Sequence, residues 1–516
     1  MARSRQEEIL RNATTGDGGA VPYCANTSDY LLAKAAPDDV ALVEAGQRYT
    51  YRELRTAAGK LAAELAALDL PAGSRVGVSG PNSLFWVAAY LAVMKLSHVA
   101  VPFSDRLTPD DVRRNADIAG CAAVCADRRV AQRFSAAVGG ALPVLTDEAL
   151  RSGREPCWPV PVPVDPGADA VLMFTSGTTS RPKAVRVTHG NIQANTDSII
   201  SYLGLHGDDR VLVILPFYYC YGASLLHTHL RRGGRIVICN SFVFPETALD
   251  LLEWEECTIL AGVPSSFQLL LRASTFAQRA LPSLRLIQQA GGKLPPVLIE
   301  ELLAAQPAAK LFIMYGQTEA TARLSYLPPD MIRKKLGSIG KGIPGVQLRV
   351  LSEDGNPVAP GERGEIYASG ASICPGYHED PEGSRARFTP YGLRTGDLAV
   401  VDDDGYVFIV DRRDDFIKSW GHRISSQEVE AAALRMRQLV SVAVIGVPDD
   451  EAGEAVTLFA VARPGAEVTP EDVLAVCRQH LPKHMVPRSV LLMDSLPLNA
   501  SGKIAKPRLR EMAAAR

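Results

Sequence analysis

Small hydroxylated residues interleaved with glycine, and then a lysine, mark the stretch from Phe174 to Val187, FTSGTTSRPKAVRV. Around Gly177, the backbone N–H groups and the hydroxyls of Thr175, Ser176, Thr178 and Thr179 are free to surround phosphate oxygens, and Lys183 adds a mobile positive charge. A polar surface loop is the plain alternative. Three threonines, two serines and a lysine clustered after a strand favour phosphate contact. No GK[ST] ends the segment, which sets it apart from a Walker A loop. Two other spacings fail their context. Gly340, Gly342 and Gly345 spell GxGxxG but precede the strand-like VQLRV instead of opening a helix, so dinucleotide binding is unsupported. His227 and His229 lie in a helical stretch, where an i, i+2 spacing turns them apart and reads as packing or surface histidines rather than a metal pair.

TSGTTSRPKAV resembles the phosphate loop of the adenylate-forming superfamily, which holds acyl-CoA synthetases, peptide-synthetase adenylation domains and luciferases. Ser180 and Ala184 stand where glycines are common in relatives. Four further motifs follow in the family's order from Tyr315 to Lys503, so the resemblance covers nearly the whole chain. Tyr315-Gly316-Gln317-Thr318-Glu319 is similar to YGxTE. The resemblance implies that the tyrosine ring stacks on adenine, Thr318 meets the α-phosphate and Glu319 helps hold Mg2+, which favours hard carboxylate oxygen. Thr395-Gly396-Asp397 resembles the motif whose aspartate accepts both ribose hydroxyls. Arg412 begins RRDDFIK, similar to GRxDxxIK, where the arginine also reaches the nucleotide. Asp411 replaces the usual glycine there, and Asp414 falls at the family's hinge position. LPLNASGKI places Lys503 at the C-terminal catalytic lysine, an ammonium that bridges the substrate carboxylate and the α-phosphate in the transition state. Each motif has a bland reading taken singly: a strand end, a turn, a solvated linker, a surface lysine. The ordered set carries the weight.

The acid is expected near LPFYYCYGAS, Leu215 to Ser224, which aligns with the family's acyl-pocket segment and includes Gly222. Tyr219 occupies the place of a histidine common in acyl-CoA synthetases. Cys220 takes the place of the aspartate that pairs with the ammonium in amino-acid-activating relatives. An unpaired buried ammonium is costly, so the expected substrate is a carboxylic acid other than a standard α-amino acid. Ala290-Gly291-Gly292 resembles the glycine-rich strand end where backbone passes close to adenine and the acyl chain.

The implied reaction has two steps. ATP with Mg2+ binds between Thr175–Lys183, Tyr315–Glu319 and Asp397. The carboxylate attacks the α-phosphate, with Lys503 closing the site, and pyrophosphate leaves. The small domain then turns about Asp414 and brings the loop of Lys418, Trp420 and Gly421 to face the acyl-AMP, where a thiol enters. Coenzyme A or a carrier-protein phosphopantetheine is the expected acceptor. LPKHMVP and LPLNASGKI look like peptide-synthetase segments, and a carrier would be a separate protein. The rivals are a non-thiol nucleophile and a non-catalytic nucleotide-binding scaffold that kept the fold. Retention of Lys503, Glu319, Asp397 and Lys183 argues against the scaffold. A nicotinamide dehydrogenase has only the failed glycine fingerprint behind it.

The elements around these motifs read as an α/β chain. Its 516 residues, 47% hydrophobic and 22% charged, allow more than one domain with a large core. RVGVSG, VAVPF (Val99 to Phe103), RVLVILPF (Arg210 to Phe217), RIVICN, TILAGVP (Thr258 to Pro264) and KLFIMYG (Lys310 to Gly316) alternate with helical stretches. That pattern predicts mostly parallel sheets covered by helices. After about Met331, glycine, proline and short alternating runs predict an antiparallel sheet or small barrel, with a hairpin at Asp404-Gly405. Residues 1–411 are expected to form the large N-terminal AMP-binding domain, and 412–516 a small α+β domain with helices at Ser426 to Arg437 and Pro470 to His480. The near-balance of 55 basic and 57 acidic residues gives no electrostatic footprint for nucleic acid. The longest apolar run, Leu84 to Met94, is too short to span a bilayer and reads as a buried helix. Cys121 and Cys125 have a spacing that suits one helix face. Nine scattered cysteines form no disulfide framework, and the polar start lacks a signal peptide's apolar core, so a reducing cytoplasm is expected.

Overall fold

A computed structural model describes residues 25–514, apart from 138–139, 141, 162, 176–181, 243, 413–415, 450 and 500–503. Ser176, Gly177, Thr178, Thr179, Asp414 and Lys503 therefore lie outside the described residues.

Two sheets build the large N-terminal part. The nine-stranded sheet runs, edge to edge, through Lys341–Gly342, Ser325–Leu327, Lys310–Tyr315, Leu286–Gln289, Ile259–Gly262, Arg210–Val213, Arg235–Ile238, Val40–Glu44 and Gln47–Thr50. Its strands are parallel from Lys310–Tyr315 to Val40–Glu44 and antiparallel at both edges. The seven-stranded sheet runs Gly376–Tyr377, Lys183–Thr188, Asp169–Thr175, Val99–Phe103, Arg75–Ser79, Cys121–Ala126 and Val144–Leu145. Helices Tyr51–Ala66, Leu84–Lys95, His189–Leu203 and Cys220–Arg232 share one core with residues from both sheets. Leu84–Lys95 is buried from Phe85 onward and apolar all round, as a helix in the middle layer must be. Ser83 caps it, and Lys95 at its other end is matched by Asp29 at 2.7 Å, which offsets the cost of burying an ammonium.

Some elements are shorter than the sequence patterns suggest. The strand from Arg210 stops at Val213, ahead of Pro216, which has no N–H to give a ladder. Ile259–Gly262 stops before Pro264, which opens the next helix at its first turn. Cys121 and Cys125 belong to a strand, contrary to the helix-face reading. An interior parallel strand is buried on both sides, so its small apolar residues carry no period that separates it from a helix.

Past Met331 the chain forms an antiparallel five-stranded sheet that includes Val346–Leu351, Arg363–Gly370, Gly392–Val401 and Val407–Arg412. The Asp404-Gly405 turn joins the last two, with Asp402 accepting from Tyr406 N at 2.8 Å. The smaller C-terminal part has its own five-stranded sheet, containing Phe416–Ser419, His422–Ser425, Leu439–Asp449, Gly453–Ala462 and Ser489–Leu492. The helix from Ser426 ends at Ala433, short of the expected Arg437. Beyond it, the carbonyls of Leu434 and Met436 accept from Arg272 of the large part, at 3.3 and 3.4 Å.

Candidate active site

Thr175 and Lys183 face each other at the open end of an antiparallel pair, Asp169–Thr175 with Lys183–Thr188. The phosphate-loop segment thus joins two strands, whereas a P-loop joins a strand to a helix. Lys183 Nζ sits 3.0 Å from Asp380 and 4.7 Å from the centre of the Tyr377 ring. Tyr377 is positioned by a two-residue strand paired with the lysine's own strand, opposite Val185.

The other end of that tyrosine reaches YGQTE. Tyr377 donates its hydroxyl to Glu319 at 2.8 Å. Burial, and then the Glu319 charge, push the phenol upward, so it stays protonated and keeps donating. Glu319 is 8% exposed, on a short 3-10 turn after the strand Lys310–Tyr315. The turn requires Gly316, because a Cβ there would stand 1.9 Å from Ala322 O. Thr321 closes it at φ 66°, a strained setting for a β-branched residue, pinned by its hydroxyl on Ser372 O at 2.8 Å. At the start of the motif, Tyr315 donates to Asp397 at 2.6 Å, and both are buried. Asp397 lies opposite Arg412 in the pairing of Gly392–Val401 with Val407–Arg412. Gln317 accepts from Arg387 at 3.4 Å.

The expected acid segment comes to the same place. The Thr318 hydroxyl lies 3.5 Å from Cys220 Sγ, and Cys374 Sγ lies 3.5 Å from Thr318 O. Cys220 begins the helix Cys220–Arg232, with half-buried Tyr219 at its N-cap. Gly222 is obligatory in its first turn, since a Cβ would meet Pro216 O at 2.1 Å. Ala290 is buried, and Gly291 takes φ 87° at the end of the strand beside Lys310–Tyr315. Lys418, Trp420 and Gly421 sit instead on an exposed hairpin tip of the smaller part, with Trp420 60% exposed. His227 and His229 are core residues. His227 pairs with the Tyr90 hydroxyl at 2.9 Å, and His229 Nδ1 meets Leu225 O at 2.9 Å. Gly340 to Gly345 lead into the strand Val346–Leu351, as the failed fingerprint requires.

Sequence reading missed Tyr377, Asp380, Cys374 and Arg387. Their segments carry no period and no recurrent spacing, and only the pairing of Gly376–Tyr377 with Lys183–Thr188 brings them in.

Two buried carboxylates, Glu319 within one five-residue motif and Asp397 against its first residue, are each held by a tyrosine hydroxyl where the nucleotide site is expected. The family model described as AMP-binding enzyme matches residues 32–378, and the AMP-binding enzyme C-terminal domain matches 428–503. The chain is 32% identical to a 2-succinylbenzoate–CoA ligase of Bacillus pumilus, over 93% of this chain and 97% of that protein. It is equally 32% identical to a feruloyl-CoA synthase of Amycolatopsis, over 93% of this chain and 96% of that one. The o-succinylbenzoate coenzyme A synthetase of Bacillus subtilis, solved with ATP and magnesium ion, superposes with a TM-score of 0.83 at 27% identity, covering 94% of this chain and 99% of that one. The chain belongs to the AMP-binding enzyme family, within the adenylate-forming superfamily, and is an AMP-forming acid–thiol ligase.

The residues fit magnesium. Glu319 offers hard oxygen, and Tyr377 occupies one of its two carboxylate oxygens, Oε1. An ion held by Glu319 would supply charge neutralisation at the phosphates of ATP. No helix among the described residues is long and apolar enough to cross a membrane.

Proposed function

We propose that this ligase activates a carboxylic acid other than a standard α-amino acid and passes it to coenzyme A. The observation behind the first part is Cys220. It is buried against Thr318 where an ammonium-pairing carboxylate would be needed, and burial raises the neighbouring Cys374 thiol to about 12, which keeps that thiol neutral. The names of the relatives, ligases of 2-succinylbenzoate and ferulate with coenzyme A, support the second.

In this reading Glu319 holds magnesium, Thr318 orients the α-phosphate beside the acid, and Tyr315 and Asp397 hold adenosine with Arg412. Thr175 to Lys183 grips the outer phosphates. Lys183 exchanges its Asp380 partner for phosphate when nucleotide enters, a small step for a half-exposed pair. Lys503 closes the site for adenylation. The unit from Arg412 onward then turns about Asp414, and Lys418, Trp420 and Gly421 come to the thiol side. The exposed hairpin tip suits that second task, because nothing lies within 4 Å of a Cβ at Gly421. The cysteines among the described residues are free and mostly buried, which supports a reducing cytoplasm.

The test incubates the protein with ATP, magnesium and an acid panel, offering coenzyme A or a holo carrier protein, and reads thioester by mass spectrometry. Acyl-CoA with a non-amino acid is expected. Loading of the carrier alone, or efficient use of standard amino acids, would overturn the proposal.

A further inference from the structure

Three arginines are buried among the described residues: Arg231, Arg272 and Arg323. Arg231 lies 3.9 Å from Asp197, and Arg272 lies 2.6 Å from Glu301. Arg323 is only 2% exposed, yet no carboxylate of the described residues stands within ion-pair distance of it. Its guanidinium carbon is 3.9 Å from the centre of the Tyr221 ring, and its Nε has no hydrogen-bond partner. The phenols of Tyr202 and Tyr221 hydrogen-bond with the guanidinium, and both are pushed upward by burial and therefore neutral. A ring face and two phenols compensate a buried cation only in part.

A second orphan donor belongs to the same cluster. Gln288, 1% exposed, has no partner for its Nε2, while its backbone oxygen accepts the Tyr221 hydroxyl at 2.7 Å. All three residues adjoin the acid site. Tyr221 follows Cys220 in the first turn of its helix, Gln288 lies in the strand Leu286–Gln289 that leads into Ala290, and Arg323 stacks on the Tyr221 ring shortly after Thr318 and Glu319. Leaving a buried donor without an acceptor is costly, and these two lie around one tyrosine.

Resting on the reading of this cleft as the acid site, we infer that Arg323, with Gln288, binds a second carboxylate at the far end of the acid, so that the substrate is a dicarboxylic acid. The reacting carboxylate belongs at Thr318, next to the α-phosphate. The acceptor missing from Arg323 is therefore the other end of the molecule. A planar guanidinium matches a carboxylate in two parallel hydrogen bonds, which an uncharged tail cannot replace.

The test measures acid-dependent ATP–pyrophosphate exchange for dicarboxylic acids of graded length and rigidity, each beside its monomethyl ester. The native protein is expected to prefer one diacid over its ester. In Arg323→Gln the diacid-to-ester ratio of kcat/KM should fall on the order of 100-fold, and Arg323→Lys should restore part of it. Should Arg323→Gln fail to fold, the native ratio and Arg323→Lys carry the test. Equal use of diacid and ester by the native protein, or equal losses on both in the variants, would overturn the inference while leaving adenylation intact. Exchange with no acid at all would sink the adenylation reading and this inference together.

Discussion

Tyr377 ties the phosphate-side lysine to the carboxylate expected to hold metal, and the two contacts test differently. Tyr377→Phe keeps the ring under Lys183 and removes only the donor to Glu319. Leaving that buried carboxylate short of one hydrogen bond costs about 1–3 kcal/mol. We expect kcat for adenylation to fall roughly 10- to 100-fold and the magnesium concentration for half-maximal rate to rise. Steady-state rates against magnesium concentration check this, and unchanged kinetics would separate Tyr377 from the site. Glu319 and Asp397 were legible in the sequence because YGQTE and TGD are contiguous. Tyr377 was not, because a tyrosine in a two-residue strand shows no pattern before that strand is paired. Arg323 was equally silent, since a buried unpaired guanidinium is a fact of packing and not of spacing.

The helix Cys220–Arg232 joins the acid site at its first turn to two core histidines at its end. Gly222→Ala would gain helix propensity but drive a methyl group into Pro216 O, 2.1 Å from the new Cβ. We expect a net loss of about 1–3 kcal/mol in urea unfolding, together with weaker acid binding. The helix also sets a pH dependence. Burial lowers His227 from 6.5 to about 3 and His229 to about 4, so both are neutral in the folded chain. Unfolded, each takes up a proton below 6.5. Their contribution is therefore complete above that pH and is lost as pH falls toward the folded values. By about pH 5 the loss is roughly 2 kcal/mol for each. Urea midpoints at pH 7 and about pH 5 check this, and a flat profile would contradict the burial of these rings. Element types were largely legible from β-branched runs between helical stretches. Their ends were set by prolines 216 and 264, and the cysteine strand at 121–126 escaped because burial on both faces erases periodicity.

At the scale of the whole molecule, Arg272 couples the two parts. Its guanidinium pairs with Glu301 and also donates to the carbonyls of Leu434 and Met436. Arg272→Ala leaves Glu301 without its buried cation and frees the contact. We expect a stability loss of about 3–5 kcal/mol and a shift in the ratio of thioester formation to adenylation. Calorimetry with single-turnover assays of each half-reaction reads both. An unchanged ratio would mean that this contact plays no part in the alternation. Two-part organisation was visible in the sequence at RRDDFIK, while the change of texture after Met331 marked the antiparallel sheet that precedes it. The docking of the smaller part on the helix Pro264–Ala273 was not, since long-range contacts leave no local trace. In the proposed reaction one cleft activates an acid with ATP and Lys503 closes it. Acid-dependent ATP–pyrophosphate exchange by the native chain and Lys503→Ala tests it most directly. Exchange with one acid class, lost in the variant, is the expected result; ATP binding with no exchange for any acid, or full exchange without Lys503, would contradict it.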